Sequence, residues 1–134
     1  MNVPEAAANA DPSAELVTSV FARDCTSRAA FEDITSKWAS LALIGLGEGT
    51  YRFGELRRRV EGVSEKMLSQ ALQSLERDGM VTRTVVTEIP PRVEYNLTAL
   101  GERVAVQLRS LADVLEETAG DVGKARAEFE QRTT

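Results

Sequence analysis

A mainly helical α+β fold is expected from three features of the chain. Two apolar stripes at helical spacing are separated only by Glu61-Gly62-Val63, β-branched residues then alternate on both sides of Pro90-Pro91, and a long apolar seam follows Thr98. In chain order these make helix, helix, short turn, helix and hairpin. That is a winged helix-turn-helix with a two-stranded wing and terminal helices suited to dimerisation.

Composition bounds what such a domain can do. The chain has 134 residues, with 16 Lys+Arg against 21 Asp+Glu and no histidine, for a net charge of −5. At 43% hydrophobic and 28% charged it reads as one ordinary soluble domain with a core. The lack of histidine removes the commonest general base and the commonest zinc ligand, so most hydrolase triads and histidine metal sites are excluded. Scattered carboxylates, no phosphate-cradling glycine loop and no base beside the single cysteine argue against an enzyme, and no cofactor or metal is expected. Cys25 alone cannot form an internal disulfide. The first residues carry neither a basic leader nor an apolar stretch of signal length. The longest apolar run, Leu41 to Leu46, falls far short of the roughly 20 residues that span a bilayer. A cytoplasmic protein without membrane contact is expected. Charge is uneven: residues 52–92 carry +2, whereas both flanks are acidic, so an anionic partner should meet the middle.

Residues 1–13 lack periodicity and are expected to form a flexible N-terminal arm ahead of a single domain over 14–134. Ser13 can cap a short helix carrying Leu16, Val17, Val20 and Phe21. A second helix after Cys25 would bury Ala29, Ala30, Phe31 and Ile34, which puts the thiol near a helix start. Thr35 or Ser36 caps a third, with Trp38, Leu41, Ala42 and Gly45 as its stripe, and Gly45, Gly47 and Gly49 ending it. The helix-turn-helix is placed at 52–78. Its first helix, over Tyr51 to Val60, buries Phe53, Leu56 and Val60; its second, capped by Ser64 and stopped by Gly79, buries Leu68, Ala71, Leu72 and Leu75. The wing occupies 81–97 with the two prolines in its loop. Helices over 98–131 follow: Thr98 caps the seam Leu100, Val104, Leu108, Leu111 and Leu115, and Gly120 and Gly123 interrupt it before a weak last helix with Ala125 and Phe129.

The ordered string Cys25, Lys37-Trp38, Arg52-Phe53-Gly54-Glu55-Leu56, Lys66-Met67-Leu68-Ser69-Gln70, Leu75-Glu76-Arg77-Asp78-Gly79 and Pro90 to Gly101 resembles the HxlR-type winged-helix transcriptional regulators of bacteria and archaea. The likeness runs from about residue 25 to 116. Thr26 stands where that family often has proline, and Thr35-Ser36 where it often has glycines. The resemblance implies a homodimeric DNA-binding regulator, expected to repress. Its helix at 64–78 would enter the major groove, its hairpin would touch the backbone or minor groove, and its terminal helices would build the dimer.

Within that frame, chemistry assigns the positions. Gln pairs with adenine and Lys with guanine, so Lys66, Gln70 and Gln73 are the candidates for base readout, with Ser69 reaching a base or a phosphate. Arg52, Arg57, Arg58, Arg83 and Arg92 are the candidate phosphate contacts. A two-fold dimer formed through Leu100, Val104, Leu108, Leu111 and Leu115 would read an inverted repeat in double-stranded DNA, with half-sites about 34–36 Å apart. Arg59 has an alternative use, a salt bridge to Glu55 one turn away. Cys25 is a candidate redox sensor: some members of the family respond to oxidants or electrophiles through cysteines in this region. A helix start together with Arg23 and Arg28 would favour the thiolate, which Asp24 opposes. The alternatives are a buried structural cysteine in a regulator that answers a small ligand, or a winged-helix module that binds protein.

Overall fold

The computed structural model describes residues 18–133. Among these, six helices and three strands follow one another: α1 (Thr26–Ile34), α2 (Lys37–Leu46), β1 (Tyr51–Arg52), α3 (Phe53–Arg59), α4 (Glu65–Arg77), β2 (Val81–Glu88), β3 (Pro91–Leu97), α5 (Ala99–Glu117) and α6 (Ala119–Thr133). The arm at 1–13 and the Ser13 cap with Leu16 and Val17 lie outside the described residues. Val20 and Phe21 sit in turns with their side chains exposed.

Side-chain caps start three of the helices, whereas at the head of α2 neither expected cap acts: the Ser36 hydroxyl donates back to the Asp33 carbonyl at 2.8 Å and the Thr35 hydroxyl to that of Phe31. The Ser64 hydroxyl accepts the Met67 N–H at 3.1 Å, and Thr98 accepts the Gly101 N–H at 2.9 Å, each satisfying a donor the first turn leaves free. Cys25 plays the same part for α1, its sulfur accepting the Arg28 N–H at 3.2 Å. Thr26 is therefore the first helical residue, a position at which proline is also readily accepted, so the threonine there leaves the helix start intact. Between α3 and α4 the chain reverses over residues 60–64 with Gly62 at φ +92°, a conformation that costs a Cβ-bearing residue dearly.

The core lies where α2, α3 and α4 meet under the sheet. Ala39, Ala42, Leu43 and Leu46 of α2 face Leu56 of α3, Leu68, Leu72 and Leu75 of α4, then Met80, Val81, Tyr95 and Ala105. Two expected stripes are corrected by this packing. In α1 only Ile34 is buried, with Ala30 partly covered, and Ala29 and Phe31 are exposed. In α2 the buried row is shifted by one: Ala39, Ala42, Leu43 and Leu46 go inward, Trp38 is half-buried and Leu41 is 42% exposed. The helix presses on α3 as well as α4, so its buried arc is wider than a single stripe. Gly45 belongs to α2 and does not end it.

Tyr51 and Arg52, expected as the first helical residues, form a strand instead. Tyr51 pairs with Tyr95 and Arg52 with Glu94, so the sheet has three antiparallel strands in the order β1-β3-β2. The β2–β3 wing runs from Val81 opposite Leu97 to Glu88 opposite Pro91, with an irregularity at Val86. Of the two prolines only Pro90 is in the loop; Pro91 opens β3, a strand position that tolerates the missing N–H. At the other end of the wing the chain is tied into a knot: Thr98 donates its N–H to the Met80 carbonyl at 3.0 Å and its hydroxyl to Gly79 at 2.6 Å. Here α5 passes so close that any Cβ on Gly101 would collide with the Met80 carbonyl. The last two helices also differ from expectation. The chain breaks at Thr118, whose hydroxyl bonds back to Val114 at 2.7 Å, and α6 runs through Gly120 and Gly123.

Candidate nucleic-acid interface

Helix α4 separates its side chains sharply. Leu68, Leu72 and Leu75 are buried, whereas Lys66, Gln70 and Gln73 on the opposite side are exposed and Ser69 is half-buried at the edge. Among the described residues none of these four side chains has a hydrogen-bond or ionic partner, so their donors and acceptors are free for an external ligand.

The five candidate phosphate arginines divide into three groups. Arg52, Arg58 and Arg83 are exposed with no ionic partner among the described residues. Arg57 is exposed but turned toward the start of α4, 3.5 Å from Glu65 and donating to the Val63 carbonyl at 3.4 Å. Arg92 is half-buried beside the wing loop, with its Nε enclosed and without an acceptor. Arg59 does not pair with Glu55. It clamps Glu48 with two hydrogen bonds of 2.8 and 2.6 Å, while the Glu55 carboxylate accepts the Arg52 N–H at 2.9 Å and closes the start of α3.

This clamp and a second charged cluster escape a reading of the sequence, because their partners are distant along the chain. Hydrogen bonds from Arg59 and then from the Tyr51 hydroxyl hold the Glu48 pKa down at about 2, and the same contacts push the Arg59 and Tyr51 values up. The other cluster lies where α1 meets the end of α4. Arg77 bonds Asp33 at 3.2 Å. The Asp78 carboxyl has a buried Oδ2 without a donor, and burial first and the facing Asp33 second push its pKa up.

Cys25 is at the helix start expected of it, but only 6% exposed. Its thiol donates to the Ser19 carbonyl at 2.8 Å. The Arg28 guanidinium does not approach the sulfur; it pairs with Glu32 at 3.0 Å, so only the backbone N–H of Arg28 faces it. The α5 seam splits in two: Val104 and Leu108 pack against the molecule's own core, whereas Leu100, Leu111 and Leu115 are about half exposed. Val114 beside them is equally open. Among the described residues no group of three or more His, Cys, Asp or Glu side chains is placed to hold a metal, and no helix is long and apolar enough to cross a membrane.

Residues 33–121 match the model of the HxlR-like helix-turn-helix family. The chain is 48% identical to the HTH-type transcriptional regulator YtfH of Escherichia coli over 109 residues, 81% of this chain and 86% of the relative. Among solved structures, the transcriptional regulator YtfH of Salmonella typhimurium is 46% identical with a TM-score of 0.76, covering 81% of this chain and 97% of that one. YodB of Bacillus subtilis in its reduced form is 28% identical with a TM-score of 0.58, over 68% of this chain and 89% of its own; a diamide-treated form of YodB is also similar. On the matched span and the identity to YtfH, the chain belongs to the HxlR-like helix-turn-helix family and is a transcriptional regulator with a DNA-binding helix-turn-helix, not an enzyme.

Proposed function

We propose that the protein is a cytoplasmic homodimer that represses transcription by reading an inverted repeat through α4. The observation that carries this reading is the exposed face of α4: Lys66, Gln70 and Gln73, unpartnered, on a helix held rigidly from behind by Leu68, Leu72 and Leu75. Such a face offers the donors and acceptors that base edges in the major groove complement. Arg52, Arg58 and Arg83 supply phosphate contacts without first breaking an ion pair, whereas Arg57 and Arg92 would have to turn outward. The half-exposed Leu100, Leu111 and Leu115 furnish the apolar face for a second copy, with Val104 and Leu108 backing them.

Cys25 serves in this reading as a thiol switch. The Arg28 N–H at the start of α1 is aimed at the sulfur, and the similarity to YodB, known in reduced and diamide-treated forms, supports the switch. The sulfur is buried, so reaction requires the segment from Ser19 to Asp24 to open. Two thiols then yield two electrons and two protons to diamide as a Cys25–Cys25 link forms between protomers. The test is an anisotropy titration against DNA upstream of the protein's own and neighbouring genes, at two salt concentrations, reduced and after diamide. Binding competed by an inverted repeat and weakened by diamide only when Cys25 is present is the expected result. A Cys25→Ser variant that responds equally removes the switch, and binding no tighter than to random DNA overturns the whole reading.

A further inference from the structure

A half-open cleft of about 560 Å³ lies between the end of α2, the loop at 47–50, the last residues of β3 and one flank of α5. It falls within the range of small-molecule sites. It is also separate from the dimer face: Val106, which lines it, lies roughly 140° around α5 from Leu111 at 100° per residue. Val106 itself is 60% exposed.

The lining defines the chemistry of an occupant. Ile44, Leu97, Ala105 and Val106 give an apolar wall. The charged groups at its edge are Glu48, Glu102 and Arg109. Arg109 is already neutralised, bonded to Asp113 and to Glu116 at 2.9 Å each. Glu48 is held by Arg59, but the Glu102 carboxylate is exposed and unpaired among the described residues. Asn96 accepts a hydrogen bond from Thr50 and keeps its amide N–H groups free.

We propose that this cleft binds an amphipathic organic cation, its rings against Ile44, Leu97 and Val106 and its ammonium group on Glu102, and that it rejects the matching carboxylate. Glu48 lines the same cleft and fixes Arg59 at the end of α3, so the positive charge seated on Glu102 draws on the Glu48 carboxylate, weakens its hold on Arg59 and loosens the helix-turn-helix. That second step, an effect on operator affinity, rests on the DNA-binding reading above.

The site is tested without DNA by calorimetric titration of the whole protein with 4-phenylbenzylamine and with its isostere 4-phenylbenzoate. The amine is expected to bind with a Kd on the order of 100 µM, and the carboxylate at least tenfold more weakly. Glu102→Gln should weaken the amine at least fivefold. Val106→Trp, at an exposed position whose enlargement fills the cleft while sparing the core, should abolish its binding. Equal affinity for the carboxylate, undiminished binding by Val106→Trp, or no heat at millimolar amine overturns the site. Saturating amine should then weaken operator binding threefold or more. Unchanged affinity overturns the link to Arg59 while leaving the calorimetric result standing. Failure to bind any operator in the absence of amine would count against the DNA reading alone.

Discussion

Lys66, Gln70 and Gln73 differ from the arginines around them in what their removal should do. Alanine at Lys66 or Gln70 should cost about 1–3 kcal/mol on the best operator and relax its preference at one base pair, measured by competition with single-base operator variants. Alanine at Arg58 should weaken all sequences alike and reduce the salt slope by about one, read from titrations over a range of ionic strength. Two carboxyls make opposite predictions for pH. The Glu48 pKa of about 2 lies below its ordinary 4.5, so its contribution to stability is present above pH 4.5 and fades as the pH falls through 2. Thermal melts of Glu48→Gln should therefore lie below wild type at pH 6 and converge with it near pH 2. Asp78 is raised above its ordinary 3.8, so its ionisation costs stability as the pH rises past that value. It also sits at the negative end of the α4 dipole. Asp78→Asn should melt higher than wild type at neutral pH, and the gain should vanish near pH 3.

At the level of elements, the caps carry the largest local effects. Ser64→Ala removes the acceptor for Met67 N–H and should cost about 1 kcal/mol in denaturant titrations, with DNA binding lost only in proportion to unfolding. Gly101→Ala should cost more, at least about 1–3 kcal/mol, because the Met80 carbonyl has nowhere to go without breaking its bonds to Thr98. What could be read from the sequence follows the same division between near and far. Ser64, Thr98 and the α4 stripe were legible because a cap and a helical face are settled within one or two turns of chain. The strand at Tyr51-Arg52 was not, since it exists only through pairing with Tyr95 and Glu94, more than 40 residues on. The Arg59 clamp escaped for a similar reason: Glu55 is the nearer carboxylate along the helix, but it is already engaged by the Arg52 N–H. In α6 the glycines misled, because a glycine weakens a helix without dictating where it ends, and the hydroxyl of Thr118 marks the break.

For the whole molecule, the exposed apolar residues of α5 set the expectation for assembly. Glutamate at both Leu111 and Leu115 should convert a dimer to a folded monomer in sedimentation experiments, because neither side chain contributes to the core. Operator affinity should then fall to that of a single half-site. Wild type that sediments as a monomer at micromolar concentration would remove the two-fold reading. The knot at Gly79, Met80, Thr98 and Gly101 has a consequence for the DNA as well. It leaves no slack between the end of α4 and the start of α5, so a pair of such chains joined through α5 would behave as a caliper with a fixed opening. One base pair added between half-sites shifts one of them by about 3.4 Å and turns it by roughly 35°. Such an operator should lose binding as though a half-site were missing, although every base in both half-sites is intact.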